Sequence, residues 1–177
     1  IFVFYPGKAG GAFIKQYAQA GLQGKIPLYS VFTVDSIALP KLQKANMNGV
    51  MGSVMTQFWA PDLDTPQNKK FVSGFKKKYG RYPSFYAAQS YDTIFLIKSA
   101  VEAVKGDLSN KDGMRAAMEK ANFPSVRGKF SYGNNHFPIQ NFYSREVVKD
   151  PDGVWTTSVR EVVLKNHQDT YAKDCSM

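Results

Sequence analysis

The segment Ile1–Leu22, IFVFYPGKAGGAFIKQYAQAGL, has the pattern of one strand, one tight turn and one helix. Five apolar or aromatic residues come first, a Gly-rich turn follows, and Phe13, Tyr17 and Ala20 then recur at helical spacing. A strand without charged residues is typical of a parallel sheet that is covered on both faces. Because ligands bind beyond the carboxyl ends of such strands, we expect Tyr5 to lie at a binding site.

Further strand and helix patterns alternate with this one as far as residue 58. A second strand is predicted over Leu28–Phe32, and a third over Val50–Phe58. Between them a helix is predicted over Ile37–Ala45, with Asp35 or Ser36 as its N-cap. Strands and helices that alternate in this order predict an α/β fold with a parallel sheet.

Residues 66–121 have an almost entirely helical pattern, after which the chain returns to strands. Thr65 and Ser84 are predicted N-caps, and the turn Asp150–Gly153 is predicted to join two alternating strands, Gln140–Val148 and Trp155–Leu164. The three predicted helices are Pro66–Tyr79, Phe85–Val104 and Lys111–Ala121.

The formal charge of the chain is +9, and its densest group of cations follows one predicted helix. Phe71, Phe75 and Tyr79 form the apolar face of that helix, so we interpret the cations as its solvated face. No nucleic-acid-binding motif accompanies them, and we predict no nucleic-acid partner. The cations are Lys69, Lys70, Lys76, Lys77, Lys78 and Arg81.

The Gly-rich turn Gly7–Gly11 lacks the spacing of a phosphate-binding loop and of a dinucleotide fingerprint. Its backbone N–H groups could still receive an anion at the helix start. The sequence contains no serine-hydrolase elbow, no zinc-peptidase motif and a single cysteine. We therefore predict no catalytic residues, no cofactor and no metal site. A small α/β hydrolase that uses the region of Asp35 or His136 is the alternative.

Nine short motifs occur in an order that resembles one known family. The sequence resembles the C-terminal portion of type I periplasmic solute-binding proteins of ABC importers, in the leucine/isoleucine/valine receptor family. The match runs in order from one end of the chain to the other. The motifs are Ile1–Gly7, Gln19–Leu22, Gly49–Met51, Pro61–Asn68, Phe75–Pro83, Tyr86–Asp92, Arg127–Gly128, Asn135–Gln140 and Arg145–Val148.

The resemblance implies a type I, two-lobe α/β fold, which we expect to be truncated at the N-terminus. Residues 1–58 and 139–177 would form the second, C-terminal lobe, and residues 59–138 the helical part of the first lobe. Hinge crossings are expected near 58–61 and 133–139. The chain begins inside a predicted strand without an initiator Met. We therefore expect upstream sequence, where such receptors carry a signal peptide.

The resemblance also implies a ligand site in the cleft between the lobes. Tyr5 matches an aromatic residue that faces ligand, and Tyr86 matches a tyrosine at the pocket rim. Phe32 stands where amino-acid receptors of the family have an acidic residue for the ligand ammonium, which is costly to bury unpaired. With Phe58 and Trp59 the predicted site is aromatic throughout and suits stacking. We expect a small aromatic carboxylate, of the benzoate or phenylpropenoate type.

The expected protein is an extracytoplasmic receptor in the periplasm that delivers its ligand to an ABC permease in the inner membrane. Binding of a branched-chain or other amino acid is the alternative, as is a ligand-sensing domain of a signalling protein. A partial first lobe would leave apolar surface uncovered. We therefore expect self-association or association with a missing N-terminal piece.

Overall fold

The computed structural model describes residues 1–176 and has the predicted α/β architecture. Met177, the last residue of the predicted C-terminal lobe, lies outside the described residues. The helices are α1 (Lys8–Gln19), α2 (Leu39–Lys44), α3 (Pro66–Tyr79), α4 (Phe85–Ala103) and α5 (Lys111–Lys120). The strands are β1 (Phe2–Val3), β2 (Tyr29–Ser30), β3 (Val54–Gln57), β4 (Ser131–Tyr132), β5 (Pro138–Lys149) and β6 (Trp155–His167).

The sheet combines a parallel and an antiparallel half. β1, β2 and β3 are parallel neighbours, as the alternating pattern predicts. β3 then pairs with β5 in antiparallel register, and β5 pairs with β6 along most of its length and with the short β4 near its start. Since β5 contacts strands on both sides, it joins the parallel half to the final hairpin.

The ends of α3 and α4 follow the local signals that predicted them. The Thr65 hydroxyl accepts the Asn68 N–H at the start of α3, where Pro66 is the first helical residue. The Ser84 hydroxyl accepts the Ala87 N–H at the start of α4. Gly80 ends α3 in the left-handed conformation that favours glycine.

The prediction of Asp35 or Ser36 as the N-cap of α2 is wrong. α2 begins at Leu39 after Ala38, because the Asp35 carboxylate accepts the N–H groups of Ile37 and Ala38 in the turn before the helix.

The parallel strands are shorter than predicted because the chain leaves the ladder early. The Tyr5 N–H donates to the Thr33 hydroxyl at 2.9 Å rather than to a backbone carbonyl. Phe32 has a φ of 57°, in the left-handed region, and turns the chain after β2. The hydrogen bond to Thr33 therefore ends β1 before Tyr5, and the turn at Phe32 ends β2 before that residue.

The prediction that the first strand is covered on both faces is wrong for this structure. Val3 and Ser30 are buried on the face that carries α1 and α2. On the opposite face Phe2 is 74% exposed and its register partner Tyr29 is 50% exposed. Both helices of the parallel half pack on one side, and no element of residues 1–176 covers the other.

Two hydrophobic clusters fill the structure. The first lies between the parallel strands and the helices α1 and α2, and the second lies among α3, α4 and the segment Phe58–Leu63. β5 contributes Val147 to the first cluster and Tyr143 to the second. The chain passes from one cluster to the other where β3 ends, between Gln57 and Phe58.

A close approach between α1 and the turn after β1 requires glycine at position 10. A Cβ atom on Gly10 would lie 2.3 Å from the Tyr5 carbonyl oxygen and 2.9 Å from that of Thr33. Both oxygens belong to the backbone, so relief of the clash would displace the segments that follow β1 and β2.

We expect Gly10→Ala to lower the free energy of unfolding by about 1–3 kcal/mol, the usual cost of overpacking. Gly11→Ala is the matched control on the same helix, because a Cβ there meets nothing within 4 Å and alanine is the better helix former. Chemical denaturation of both variants makes the measurement. Equal stability of the two variants would contradict the close approach.

Candidate functional site

A cavity of about 460 Å³ lies beyond the carboxyl ends of β1 and β2. The segment after β1 supplies one side and the segment after β2 supplies another, as expected for a binding site on a parallel sheet. Tyr86, from the start of α4, closes the cavity from the side of the second hydrophobic cluster. The lining residues are Pro6, Gly7, Lys8, Gly11, Phe32, Thr33, Asp35, Ile37, Ala38, Lys41, Leu42 and Tyr86.

Aromatic rings pack in a continuous row that reaches this cavity through Phe32 and Tyr86. The Phe32 ring packs edge-on against Phe85 with centroids 5.1 Å apart, and Phe85 packs edge-on against Phe58 at 5.9 Å. The Tyr86 ring lies 4.0 Å from that of Phe85, and Phe4 packs edge-on against Phe32 at 5.9 Å. We call these five rings the aromatic row. Edge-to-face packing of this kind stabilises ring positions beyond simple burial.

The backbone of Phe32, one member of the aromatic row, is held in an uncommon conformation. Its φ of 57° places a residue with a Cβ atom in the left-handed region, at a cost of about 1–2 kcal/mol. Strain of this kind persists where the surroundings impose it, and it is concentrated at binding sites. The direction in which the Phe32 Cα–Cβ bond leaves the backbone is therefore fixed by the fold.

Of the five residues predicted for the site, the structure brings three together. Phe32 and Tyr86 line the cavity, and Phe58, which is 8% exposed, supports them through the aromatic row. Tyr5 is 50% exposed and packs against Phe13, with centroids 5.8 Å apart, beside Pro6 at the cavity edge.

Trp59 has a different position from the other four predicted residues. It is fully buried in the second cluster, and its indole N–H donates to the Asn68 Oδ1 at 2.7 Å. Asn68 in turn donates to three carbonyl oxygens of the segment that leads into α3. Trp59 thereby orders the chain after the crossing and lines no described cavity. Phe85, which sequence reasoning missed, occupies the central place in the row.

Two ammonium groups and one carboxylate border the cavity. Lys8 lies in the first turn of α1, whose N-terminus has no side-chain cap and no acidic residue, so its field favours an anion. Lys41 lies on α2. The Asp35 carboxylate accepts the backbone N–H groups of Ile37 and Ala38 at 2.8 and 2.9 Å. The cavity therefore combines an aromatic side with a net positive rim.

A buried ion pair fixes the support of the aromatic row. Asp92 on α4 is 1% exposed. Arg127, which pairs with Asp92, also donates through its guanidinium Nη1 to the Gln140 Oε1 at 3.1 Å. The same guanidinium lies 5.6 Å from the centroid of the Phe58 ring. Three donors reach the Asp92 carboxylate, the Ser125 hydroxyl at 2.6 Å, the Val126 N–H at 2.9 Å and the Arg127 Nε at 2.8 Å.

A second cavity, of about 510 Å³, lies between α3 and the hairpin of β5 and β6. The Tyr82 hydroxyl donates to the Asp150 Oδ2 at 2.8 Å, and the Lys76 ammonium lies 3.6 Å from the same oxygen. Asp150 also accepts the N–H groups of Asp152 and Val154. Burial opposes ionisation, but these donors and the ammonium hold the pKa of Asp150 below its ordinary value. No short motif links these positions, so sequence reasoning missed the contact.

The two regions considered for a hydrolase do not form one site. Asp35 borders the aromatic cavity, whereas His136 borders a different cavity and lies 3.4 Å from Glu119. Within residues 1–176, no group of three or more His, Cys, Asp or Glu side chains is placed to hold a metal ion. None of the helices in these residues is long and apolar enough to cross a bilayer.

Comparisons with known proteins show which family the chain is similar to. A family model described as periplasmic binding protein matches residues 1–152. A Leu/Ile/Val-binding protein homologue of Brucella abortus is 31% identical over 163 residues, which cover 88% of this chain and 40% of that protein. The chain therefore spans less than half the length of this relative.

Solved structures extend the similarity over almost all of the chain. A solute-binding protein of an ABC transporter from R. palustris, in complex with benzoate, is 31% identical with a TM-score of 0.83. The match covers 99% of this chain and 46% of that one. A solute-binding protein from Rhodopseudomonas palustris HaA2, in complex with p-hydroxybenzoic acid, is 28% identical with a TM-score of 0.79 and covers 96% and 46%.

Removal of the buried cation should weaken the fold strongly. We expect Arg127→Met to lower the free energy of unfolding by about 3–5 kcal/mol, because it leaves the Asp92 carboxylate buried without its cation. Glu102→Gln is the control, since its ion pair with Lys98 is exposed on both sides and such pairs contribute about 0–1 kcal/mol. Urea denaturation at neutral pH compares the two. Similar losses would contradict the special role of the buried pair.

The Asp150 contacts predict a pH dependence. A carboxylate whose pKa falls on folding stabilises the protein above its unfolded pKa of about 3.9, and this contribution is lost as pH falls through the folded pKa. Between pH 6 and pH 3, wild type should therefore lose more unfolding free energy than Asp150→Asn. Asp152→Asn, an exposed change in the same turn, should behave like wild type. Identical acid profiles for all three proteins would overturn the assignment.

Proposed function

The chain belongs to the periplasmic binding protein family, and from this premise we propose that it forms part of a solute receptor of an ABC importer. The family match confirms the resemblance inferred from the sequence motifs, and the structural similarity confirms the type I α/β fold. We place the receptor outside the cytoplasm, in the periplasm, where it would deliver its ligand to a permease in the inner membrane.

The two hydrophobic clusters are the proposed counterparts of the two lobes. Residues 1–58 and 139–176 contain the first cluster and the strands around it, and residues 59–138 contain most of the second. The proposed crossings are residues 58–61, which follow β3, and residues 133–139, which lead into β5. Rotation about such segments closes a cleft around a ligand and makes or breaks no covalent bond.

The proposed ligand is a small aromatic carboxylate of the benzoate or phenylpropenoate type. The observation that carries this proposal is the aromatic row beside a cavity with a net positive rim. Phe32 and Tyr86 would contact the ligand ring, and Phe58 would hold Phe85 behind them. The proposal also draws on two similar receptors whose structures contain benzoate and p-hydroxybenzoic acid.

Binding of a branched-chain amino acid is the second candidate. Its support is the name of the Brucella relative and the position of Asp35, the one carboxylate that borders the aromatic cavity in the described residues. A ligand ammonium would need such a partner. The Asp35 carboxylate already accepts two backbone N–H groups, which leaves it less free to serve this role than an unbonded side chain.

Calorimetric titration of the full product of the gene separates the two candidates. We expect benzoate and 4-hydroxybenzoate to bind with micromolar or tighter dissociation constants, and L-leucine to give no heat of binding. Tight binding of leucine without any response to the aromatic acids would contradict the proposed ligand class.

A paired substitution tests the part played by the aromatic row. Tyr86→Ala should weaken benzoate binding about 5- to 30-fold, which corresponds to about 1–2 kcal/mol for a lost aromatic contact. Tyr79→Ala is the matched control, because Tyr79 has similar exposure, 53% against 48%, and lies on α3 away from the cavity. Equal affinity of both variants would exclude Tyr86 from the site.

A further inference from the structure

The two oxygens of the Asp35 carboxylate, which borders the aromatic cavity, differ in their hydrogen bonding. Oδ1 accepts both backbone N–H groups of the following turn, from Ile37 at 2.8 Å and from Ala38 at 2.9 Å. Within residues 1–176, no hydrogen bond or ion pair uses Oδ2. Asp35 is half-buried, and a partly desolvated carboxylate oxygen is a strong acceptor. Oδ2 is therefore the oxygen available to a donor in the cavity.

The other polar side chains that border the cavity are donors, are already bonded or are weaker acceptors. Lys8 and Lys41 carry ammonium groups, which only donate hydrogen bonds. The Thr33 hydroxyl is bonded to two backbone groups, at 2.9 and 3.2 Å. Tyr86 has a hydroxyl, which accepts less strongly than a carboxylate. Among these side chains, Asp35 is thus the strongest acceptor for a group on a ligand.

A ring hydroxyl suits this single oxygen better than an ammonium group does. An ammonium group has three N–H donors and a charge, which is costly to desolvate unless the donors find partners. A phenol hydroxyl has one donor and is uncharged at neutral pH. Asp35 lies three residues after Phe32 in the same segment, and both border the cavity. A ligand ring that packs against Phe32 therefore carries its substituents toward Asp35.

We propose that Asp35 selects aromatic acids that carry a ring hydroxyl, because its Oδ2 accepts the phenol O–H. This inference rests on the proposed function and narrows the ligand class to acids of the 4-hydroxybenzoate type. Repulsion between the two carboxylates directs the carboxylate of the ligand away from Asp35, and the para position is the ring position farthest from that group. Asp35 is then a specificity-determining residue, while the aromatic row holds the ring.

Three ligands separate a hydroxyl donor from the size of a ring substituent. Calorimetric titration of the full gene product should show 4-hydroxybenzoate binding about 10- to 100-fold more tightly than benzoate, the effect of one hydrogen bond to a charged group. 4-Fluorobenzoate has a substituent of similar size that donates no hydrogen bond, so its affinity should resemble that of benzoate. Equal affinity of 4-fluorobenzoate and 4-hydroxybenzoate would overturn the inference.

Asp35→Asn tests the acceptor itself. An asparagine oxygen can still accept the N–H groups of the turn, but the amide nitrogen that replaces Oδ2 is a donor. The preference for 4-hydroxybenzoate over benzoate should therefore fall at least about tenfold. The lost charge acts on both ligands alike, so it leaves this ratio unchanged. Asp152→Asn is the control, because it removes the same charge from an exposed residue outside the cavity and should keep the wild-type ratio. A wild-type ratio in Asp35→Asn would contradict the assignment.

The outcomes also separate this inference from the proposed function. If wild type binds benzoate and 4-hydroxybenzoate equally well, the receptor proposal stands and the role of Asp35 fails. If wild type binds L-leucine and neither aromatic acid, or binds none of these ligands, both proposals fail. The ligand comparison with wild type decides the question even where Asp35→Asn does not fold.

Discussion

A buried guanidinium is costly unless an anion pairs with it, and one such pair organises the region between the two hydrophobic clusters. Arg127 meets this requirement within the chain, because Asp92 projects from α4 and Gln140 from β5. These contacts join α4, the loop that contains Arg127 and β5, beside the Phe58 ring. Arg127 thereby stabilises the fold. Arg145 lies on β5, five residues after Gln140, and no carboxylate of the described residues bonds to it.

The aromatic row follows from the same arrangement of elements. Phe32 leaves β2 in a left-handed conformation, Phe85 begins α4, and Phe58 follows β3. Three segments that are distant in the sequence thus contribute rings to the aromatic row, and edge-to-face contacts with Phe85 hold these rings in position. Gly10 allows α1 to approach the segments after β1 and β2, so the cavity lies directly beyond the ends of the parallel strands.

Local signals predicted the helices well and the site only in part. Thr65, Pro66, Gly80 and Ser84 mark helix ends through contacts within a few residues, and the structure confirms them. The early ends of β1 and β2 depend on the Thr33 hydroxyl and on the backbone of Phe32, which no periodicity reveals. The position of Trp59 depends on Asn68.

The measurement that tests the central claim most directly is a crystal structure of the full gene product grown with benzoate. The account predicts the benzoate ring against Phe32 and Tyr86, with its carboxylate toward the positive rim of the same cavity. A benzoate bound elsewhere, or bound without contact to Phe32 and Tyr86, would contradict it.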